Sequence, residues 1–383
     1  MGYKPTAHRL IFGKSSNHKA VTLSIPDTLE FLEQIVDGGE VATGCQAYFS
    51  QGNNNCALSY GQAAPGLSIT DKTMWKLYCN GKPIVSIAIA ILLREYEISL
   101  DDPITRYYPE FTNGGKEEIT FRHILNHTAG LSFPRAIDVA FDDINSRETK
   151  VRELSLSDNY SLGEESNYSE YVGWHVLGRV IERVARTGVG MFLQDNIFGP
   201  LQMQQTRCGF TSAQYKSDQD QIGIFYDCSG SHPVPMLYDR SKSLCCEWNP
   251  SYGLYASAHD IGVFYESLLS SFYGGSGILS KEDTWNWTQQ SRGSIYDPVL
   301  EQPCEFTLGF MKNLGDFGIG THTSDLSFGH LGYRGTSLAF CDPSYNLVAV
   351  VILNGILEIE RARSLRQEMV DLLYRELQIV QRW

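Results

Sequence analysis

Residues 84–93 read Ile-Val-Ser-Ile-Ala-Ile-Ala-Ile-Leu-Leu, apolar but for Ser86, and the run stops at Arg94. Apolar side chains on every side of a helix mark one that is buried all round. Ten residues fall far short of the roughly 20 needed to cross a bilayer. The run therefore predicts a helix enclosed by the rest of the chain, and the fold must supply a wall on each side of it. With 383 residues, 42% of them hydrophobic, the chain can bury one large core or two coupled ones, and its length suggests two or three domains.

The flanking sequence supplies that wall. Short β-prone runs come first, at 42–52 and 55–64, with apolar and polar residues interleaved as in half-buried strands. From Lys82 to about Val184 the chain reads mostly helical, with three-to-four apolar spacing in 121–131 and 173–185. Residues 210–250 are loop-rich, and the aromatic stretch from Tyr238 onward suits the wall of a substrate pocket. A helical pattern resumes at 257–271. Two strands around Asp342-Pro343-Ser344-Tyr345-Asn346 follow, and an amphipathic helix fills 359–380. This order predicts an α+β fold whose sheet is built from both ends of the chain. Residues 1–78 and 250–383 form the sheet part, 79–249 the inserted helical part, and an active site falls at the junction.

A thiol and an amine stand at the mouth of the buried helix. Pro83 is tolerated in a first helical turn, and Asn80-Gly81 suits the turn leading into it. Cys79 and Lys82 are then i, i+3 neighbours. The positive end of the helix and the lysine ammonium both stabilise a thiolate there. Alternatively, Lys82 serves as the base that activates the nucleophile. Either role suits acyl transfer. Taken alone, Cys-x-x-Lys also fits a structural cysteine followed by a surface lysine.

The wider stretch 78–111 resembles the signature helix of the serine β-lactamase and penicillin-recognising superfamily. In that group a nucleophile-x-x-Lys tetrad opens a buried helix, followed by a Leu-Asp-Asp-Pro-Val-like turn and a Tyr-x-Pro-Glu segment. Here those parts stand as Leu100-Asp101-Asp102-Pro103-Ile104 and Tyr108-Pro109-Glu110. Residues 119–131 are similar to the family's Leu-Leu-x-His-Thr-Ser-Gly landmark, and 250–269 to its Gly-Gly-Leu-x-Ser-Thr-x-x-Asp-Leu helix start. The likeness spans roughly residues 35–360 and is closest to class C β-lactamases, D,D-peptidases, and the esterases and transacylases of that fold. It implies a β-lactamase-like antiparallel sheet flanked by helices. The family nucleophile is nearly always serine; this chain has Cys79.

The resemblance also implies the remaining site. Tyr168 takes the place of the family's second tyrosine, the proton relay to the leaving group, with Tyr171 as its rival if the register slips. Glu170 stands where many members carry Asn. His330-Leu331-Gly332 matches the Lys/His-x-Gly triad beside the active site, with His330 placed to bind or polarise substrate. Gly332 lets substrate approach the backbone, and the N–H groups of Cys79 and Tyr333 would form the oxyanion hole.

Other chemistry fits less well. A net charge of −13 and a pI near 5.2 argue against nucleic acid and anionic membranes as partners. The first residues lack the apolar core of a signal peptide, which predicts a soluble, cytoplasmic protein. The nine cysteines include no Cys-x-x-Cys pair, so neither a zinc ribbon nor a thioredoxin site is expected. Phe12-Gly13-Lys14-Ser15 misses the earlier glycine of a P-loop, which falls on His8. His123 and His127 are spaced for a helical metal pair, but no third ligand accompanies them. No cofactor or metal is expected.

The expected function is acyl transfer through an acyl-enzyme on Cys79, from an ester, amide or thioester donor to a small amine or alcohol acceptor. Thioesters are aminolysed more readily, relative to hydrolysis, than oxygen esters, which favours a transacylase or amide synthase. An esterase or amidase of the same fold is the alternative. A non-catalytic binding protein is the reading from another class. β-Lactam hydrolysis ranks lower, because Glu170 replaces Asn.

Overall fold

A computed structural model of the chain describes residues 8–10, 22–140, 142–230 and 232–379. The stretch at 12–15 weighed as a P-loop lies outside the described residues. The main sheet has ten strands, numbered here in chain order: β1 (His8–Leu10), β2 (Gly44–Gln51), β3 (Asn54–Ala64), β4 (Leu67–Ser68), β5 (Ser294–Asp297), β6 (Gln302–Phe306), β7 (Met311–Lys312), β8 (Phe328–Leu331), β9 (Ser337–Asp342) and β10 (Leu347–Leu353). Their spatial order is β1-β3-β2-β10-β9-β8-β7-β6-β5, with β4 on β3. Every neighbouring pair is antiparallel. The seam between the chain's two ends is β2 against β10, in register from Cys45↔Leu353 to Gln51↔Leu347. The sheet is thus built from both ends, as the sequence order suggests.

Successive strand residues point to opposite faces, and here both faces are covered. Ala47, Phe49, Ala349 and Val351 share one apolar cluster with Leu29, Leu32 and Val36 of the helix Pro26–Gly38 and with Met369, Val370 and Leu373 of the helix Ile359–Glu376. Tyr48, Val348, Val350 and Ile352 belong to a second cluster on the other face. It takes in Ile261, Phe264 and Leu268 of the helix Ala258–Phe272 and runs without a break into the buried helix Lys82–Glu95.

Double coverage corrects the expectation of half-buried strands. Gln46 and Ser50, whose polarity suggested a solvent face, are both buried. Gln46 accepts from the Ala258 N–H at 2.8 Å and donates to the Thr70 carbonyl at 2.8 Å. Its polarity serves the end of a packed helix, not water. The chain ends meet in a similar way. The Glu376 carboxylate accepts from the N–H groups of Asp27 (2.8 Å) and Thr28 (2.9 Å) and from the Thr28 hydroxyl (2.7 Å). The helix Pro26–Gly38 lacks a side-chain cap of its own, so the last helix of the chain satisfies the orphan donors of the first.

The 79–249 region contains α-helices at Lys82–Glu95, Phe121–Leu125, Ala136–Val139, Ile144–Glu153, Val172–Ala185, Val189–Leu193, Ser212–Asp218 and Lys242–Cys245, joined by short turns, short strands and irregular chain. The helical pattern read over 121–131 yields only Phe121–Leu125, because His127 turns left-handed at φ 60°. Among the described residues, no helix is long and apolar enough to cross a membrane.

Candidate active site

The helix Lys82–Glu95 buries every side chain from Lys82 to Leu93. Full burial of one Ile or Leu is worth about 1.5–3 kcal/mol over leaving it in water, so the helix is among the most firmly held parts of the chain. The one polar residue within its buried apolar run is satisfied: Ser86 donates to the Leu308 carbonyl at 2.5 Å and accepts from the Trp287 indole at 2.8 Å. Pro83 occupies the first turn, as its missing N–H allows.

Ahead of the helix, Trp75–Lys76 pairs with the strand Leu254–Ala256, and the Leu77 N–H donates to the Leu254 carbonyl at 2.8 Å. The chain then bends through a 3-10 turn, Tyr78–Gly81, in which Tyr78 is left-handed at φ 49°. That conformation costs a non-glycine residue roughly 1–3 kcal/mol and persists only where the surroundings enforce it. Cys79 follows immediately. It is half-buried, not sealed in the interior. Asn80 is buried and donates to the Ser337 hydroxyl at 3.1 Å, tying the turn to the first residue of β9.

Lys82 is fully buried. Its Nζ donates to the carbonyls of Glu170 (3.0 Å) and Ser251 (3.2 Å) and lies 5.4 Å from the ring centre of Tyr168 and 5.6 Å from that of Trp174. Tyr168 is buried in an apolar cluster against which Cys79 packs, close enough for the sulfur's charge to bear on the tyrosine hydroxyl. Burial first, then the sulfur's charge, pushes this hydroxyl well above its ordinary range. Tyr168 therefore keeps its proton at neutral pH. Lys82 and Tyr168 thus meet and Cys79 packs beside the tyrosine, while the Lys82 amine is bonded to main-chain carbonyls and not to the thiol. Tyr171 does not join them: its hydroxyl pairs with Nδ1 of His175 at 2.9 Å.

The other expected residues fall in more varied places. Glu170 contributes its backbone carbonyl to Lys82, while its carboxylate accepts from the Ala136 N–H at 3.0 Å. The side chain holds the loop before Ala136–Val139 instead of facing the thiol. His330 is fully buried on β8, with its ring centre 6.5 Å from that of Tyr168. Its Nδ1–H donates to the Leu331 carbonyl at 2.8 Å, leaving Nε2 a bare acceptor without a partner among the described residues. Burial, reinforced by the Lys82 charge, pushes His330 down to about 3, so its ring is neutral. At Gly332 a Cβ would lie 2.4 Å from the Ser337 hydroxyl, so a side chain there would have to displace that hydroxyl. Tyr333 is 45% exposed, and its ring centre lies 5.7 Å from that of Tyr78, in the turn that carries Cys79.

Two participants escaped the sequence reading. Ser251 supplies a carbonyl, and a backbone acceptor leaves no mark in composition. His127, weighed above as half of a metal pair, stacks on Tyr168 at 4.4 Å and accepts from the Ser169 N–H through Nδ1 at 3.1 Å. His123 turns elsewhere, its Nδ1 accepting from the Thr120 N–H at 3.3 Å. Among the described residues, no group of three or more His, Cys, Asp and Glu side chains is placed to hold a metal ion.

The Beta-lactamase family model matches residues 33–373. Protein flp of Staphylococcus aureus (strain MW2) is 29% identical over 185 residues, which are 47% of this chain and 36% of flp. Esterase EstB of Burkholderia gladioli is 29% identical over 186 residues, 45% of this chain and 46% of EstB. The matched region thus spans less than half the length of these curated relatives. The crystal structure of a penicillin-binding protein homologue from Caulobacter crescentus superimposes with a TM-score of 0.75 at 22% identity, covering 94% of this chain and 99% of the other. With the family match taking in the Cys79 turn, Lys82, Tyr168 and the His330–Gly332 edge, the chain belongs to the beta-lactamase family.

Proposed function

We propose that the protein is an acyl-transfer enzyme working through a thioester on Cys79. The observation that carries this reading is the convergence on one half-buried thiol of a protonated tyrosine hydroxyl and, beside that ring, a fully buried lysine. The sulfur, lying before the N-terminus of the helix Lys82–Glu95, attacks the carbonyl carbon of an ester, amide or thioester. Cys79 reacts as the thiolate beside the Lys82 ammonium, and Tyr168 delivers its proton to the departing alcohol, amine or thiol as the carbon–heteroatom bond breaks and is reprotonated from Lys82. The backbone N–H groups of Cys79 and Tyr333 receive the developing oxyanion. In the second half an amine or alcohol attacks the thioester carbonyl, its proton returns through Tyr168 to Lys82, and the C–S bond breaks to restore the thiolate.

Sulfur in place of oxygen favours an amine acceptor, because a thioester yields to amines more readily, relative to water, than an ester does. The reading is therefore transfer to a small amine or alcohol acceptor within the cytoplasm. Its test is intact-mass spectrometry after incubation with acyl thioesters and activated esters. A single acyl adduct on Cys79, discharged faster by added amine than by water, is the expected result. No adduct across a broad donor panel would sink it. Hydrolysis is the second reading, favoured by the 29% identity to an esterase, and a product ratio dominated by free acid at high amine concentration would establish it.

A further inference from the structure

The nucleophile turn rests on a buried ion pair that the chemistry above leaves unused. Lys76 Nζ lies 3.6 Å from Oδ1 of Asp239, and the two side chains are 6% and 0% exposed. The same ammonium sits 5.1 Å from the ring centre of Tyr78 and 5.4 Å from that of Tyr252. Asp239 lies in the turn Leu237–Arg240, within the segment read from sequence as a pocket wall. Neither of its carboxylate oxygens has a hydrogen-bond partner at ordinary distance among the described residues. Burial pushes the acid up and the lysine down, each opposed first by the other's charge.

A sealed ion pair adds little net stability over a well-packed apolar pair, so stability alone is a weak reason for it. Its location is more telling. Lys76 is two residues before Tyr78, the left-handed residue that leads into Cys79. The Tyr78 ring is fixed by Phe225 at 5.3 Å and Tyr333 at 5.7 Å, and after burial its hydroxyl responds most to the charge of Asp239. The ring is thus held between aromatic neighbours with the Lys76 ammonium of the ion pair over it, at the point where the backbone turns left-handed.

We propose that Asp239 is a positioning residue: paired with Lys76, it holds Tyr78 in the left-handed conformation that presents the Cys79 sulfur to Tyr168 and Lys82. This rests on Cys79 as the nucleophile, so its test does not depend on acyl chemistry. The rate at which Cys79 displaces iodide from iodoacetamide is followed against pH by intact mass with peptide localisation. The proteins compared are the wild type, Asp239→Asn and the double variant Lys76→Met with Asp239→Leu, each with a thermal melt.

In Asp239→Asn, alkylation of Cys79 should slow on the order of tenfold at neutral pH, with a displaced pH profile, because the thiol leaves its activating neighbours. The double variant should recover the melting temperature but not the rate. A wild-type rate and profile in Asp239→Asn would overturn the proposal, as would recovery of both rate and stability in the double variant. Should Asp239→Asn fail to fold, the double variant decides by the same criterion. An Asp239-dependent alkylation rate in a protein that forms no acyl adduct would overturn the acyl-transfer reading and leave the positioning role standing.

Discussion

Lys82 Nζ lies 5.4 Å from the centre of the Tyr168 ring, and its direct hydrogen bonds are to main-chain carbonyls, that of Glu170 two residues along from the tyrosine and that of Ser251. The two side chains therefore meet cation to ring face, with the ammonium fixed by main-chain acceptors and not by the tyrosine hydroxyl. Replacing Lys82 by Met keeps the buried stem but removes the donor from both carbonyls. Acylation of Cys79 should fall at least about 100-fold, and unfolding free energy by about 1–3 kcal/mol. Stopped-flow acylation together with urea titration checks both.

Tyr168→Phe separates chemistry from packing. The ring remains stacked on His127 at 4.4 Å and near Phe306 at 5.9 Å, so the melting temperature should hold. Only the proton is lost, and the acylation rate should drop on the order of 100-fold with little change in KM. A variant that melts early, or one that acylates at the wild-type rate, would contradict this role.

His330 and His127 should make the fold acid-sensitive. An unfolded imidazole titrates near 6.5, whereas burial and the Lys82 charge hold His330 at about 3 and His127 well below its ordinary value. As pH falls, the unfolded chain takes up these protons first. The stability from each neutral ring is complete above pH 6.5 and drains away from there toward pH 3, at up to about 1.4 kcal/mol per unit for each histidine. His330→Gln should remove one histidine's share of the slope, measured from urea midpoints between pH 7 and 4.5. Equal slopes in wild type and variant would refute the assignment.

Glu376→Ala should cost about 1–2 kcal/mol, the usual loss of a good N-terminal cap. The carboxylate caps the helix Pro26–Gly38 from the far end of the chain. Differential scanning calorimetry should show the shift, with kcat unaffected at temperatures well below the transition.

The helix after Cys79 was legible because its burial pattern is one-dimensional: an all-round apolar run can only be enclosed. Cys79, Lys82 and Tyr168 were legible because motif spacing carried them onto one site. What stayed hidden depends on directions that spacing does not encode. Glu170 and Lys82 do meet, but through a carbonyl, while the carboxylate swings to Ala136. His127 pairs with Tyr168 and not with His123, since a left-handed residue breaks the helix whose period suggested the metal pair. The strands β5–β7 at the sheet edge were not singled out, being short and rich in charged and turn residues.

The seam of β2 against β10 sets a timetable for biosynthesis. The ribosome releases residues 44–51 roughly 300 positions before their partners at 347–353. At about 5–20 residues per second, that strand edge waits on the order of 15–60 s for its neighbour. Over that interval the edge of β2 and the face later covered by the helix Ile359–Glu376 lack their C-terminal partners, whereas the helix Pro26–Gly38 has already left the ribosome.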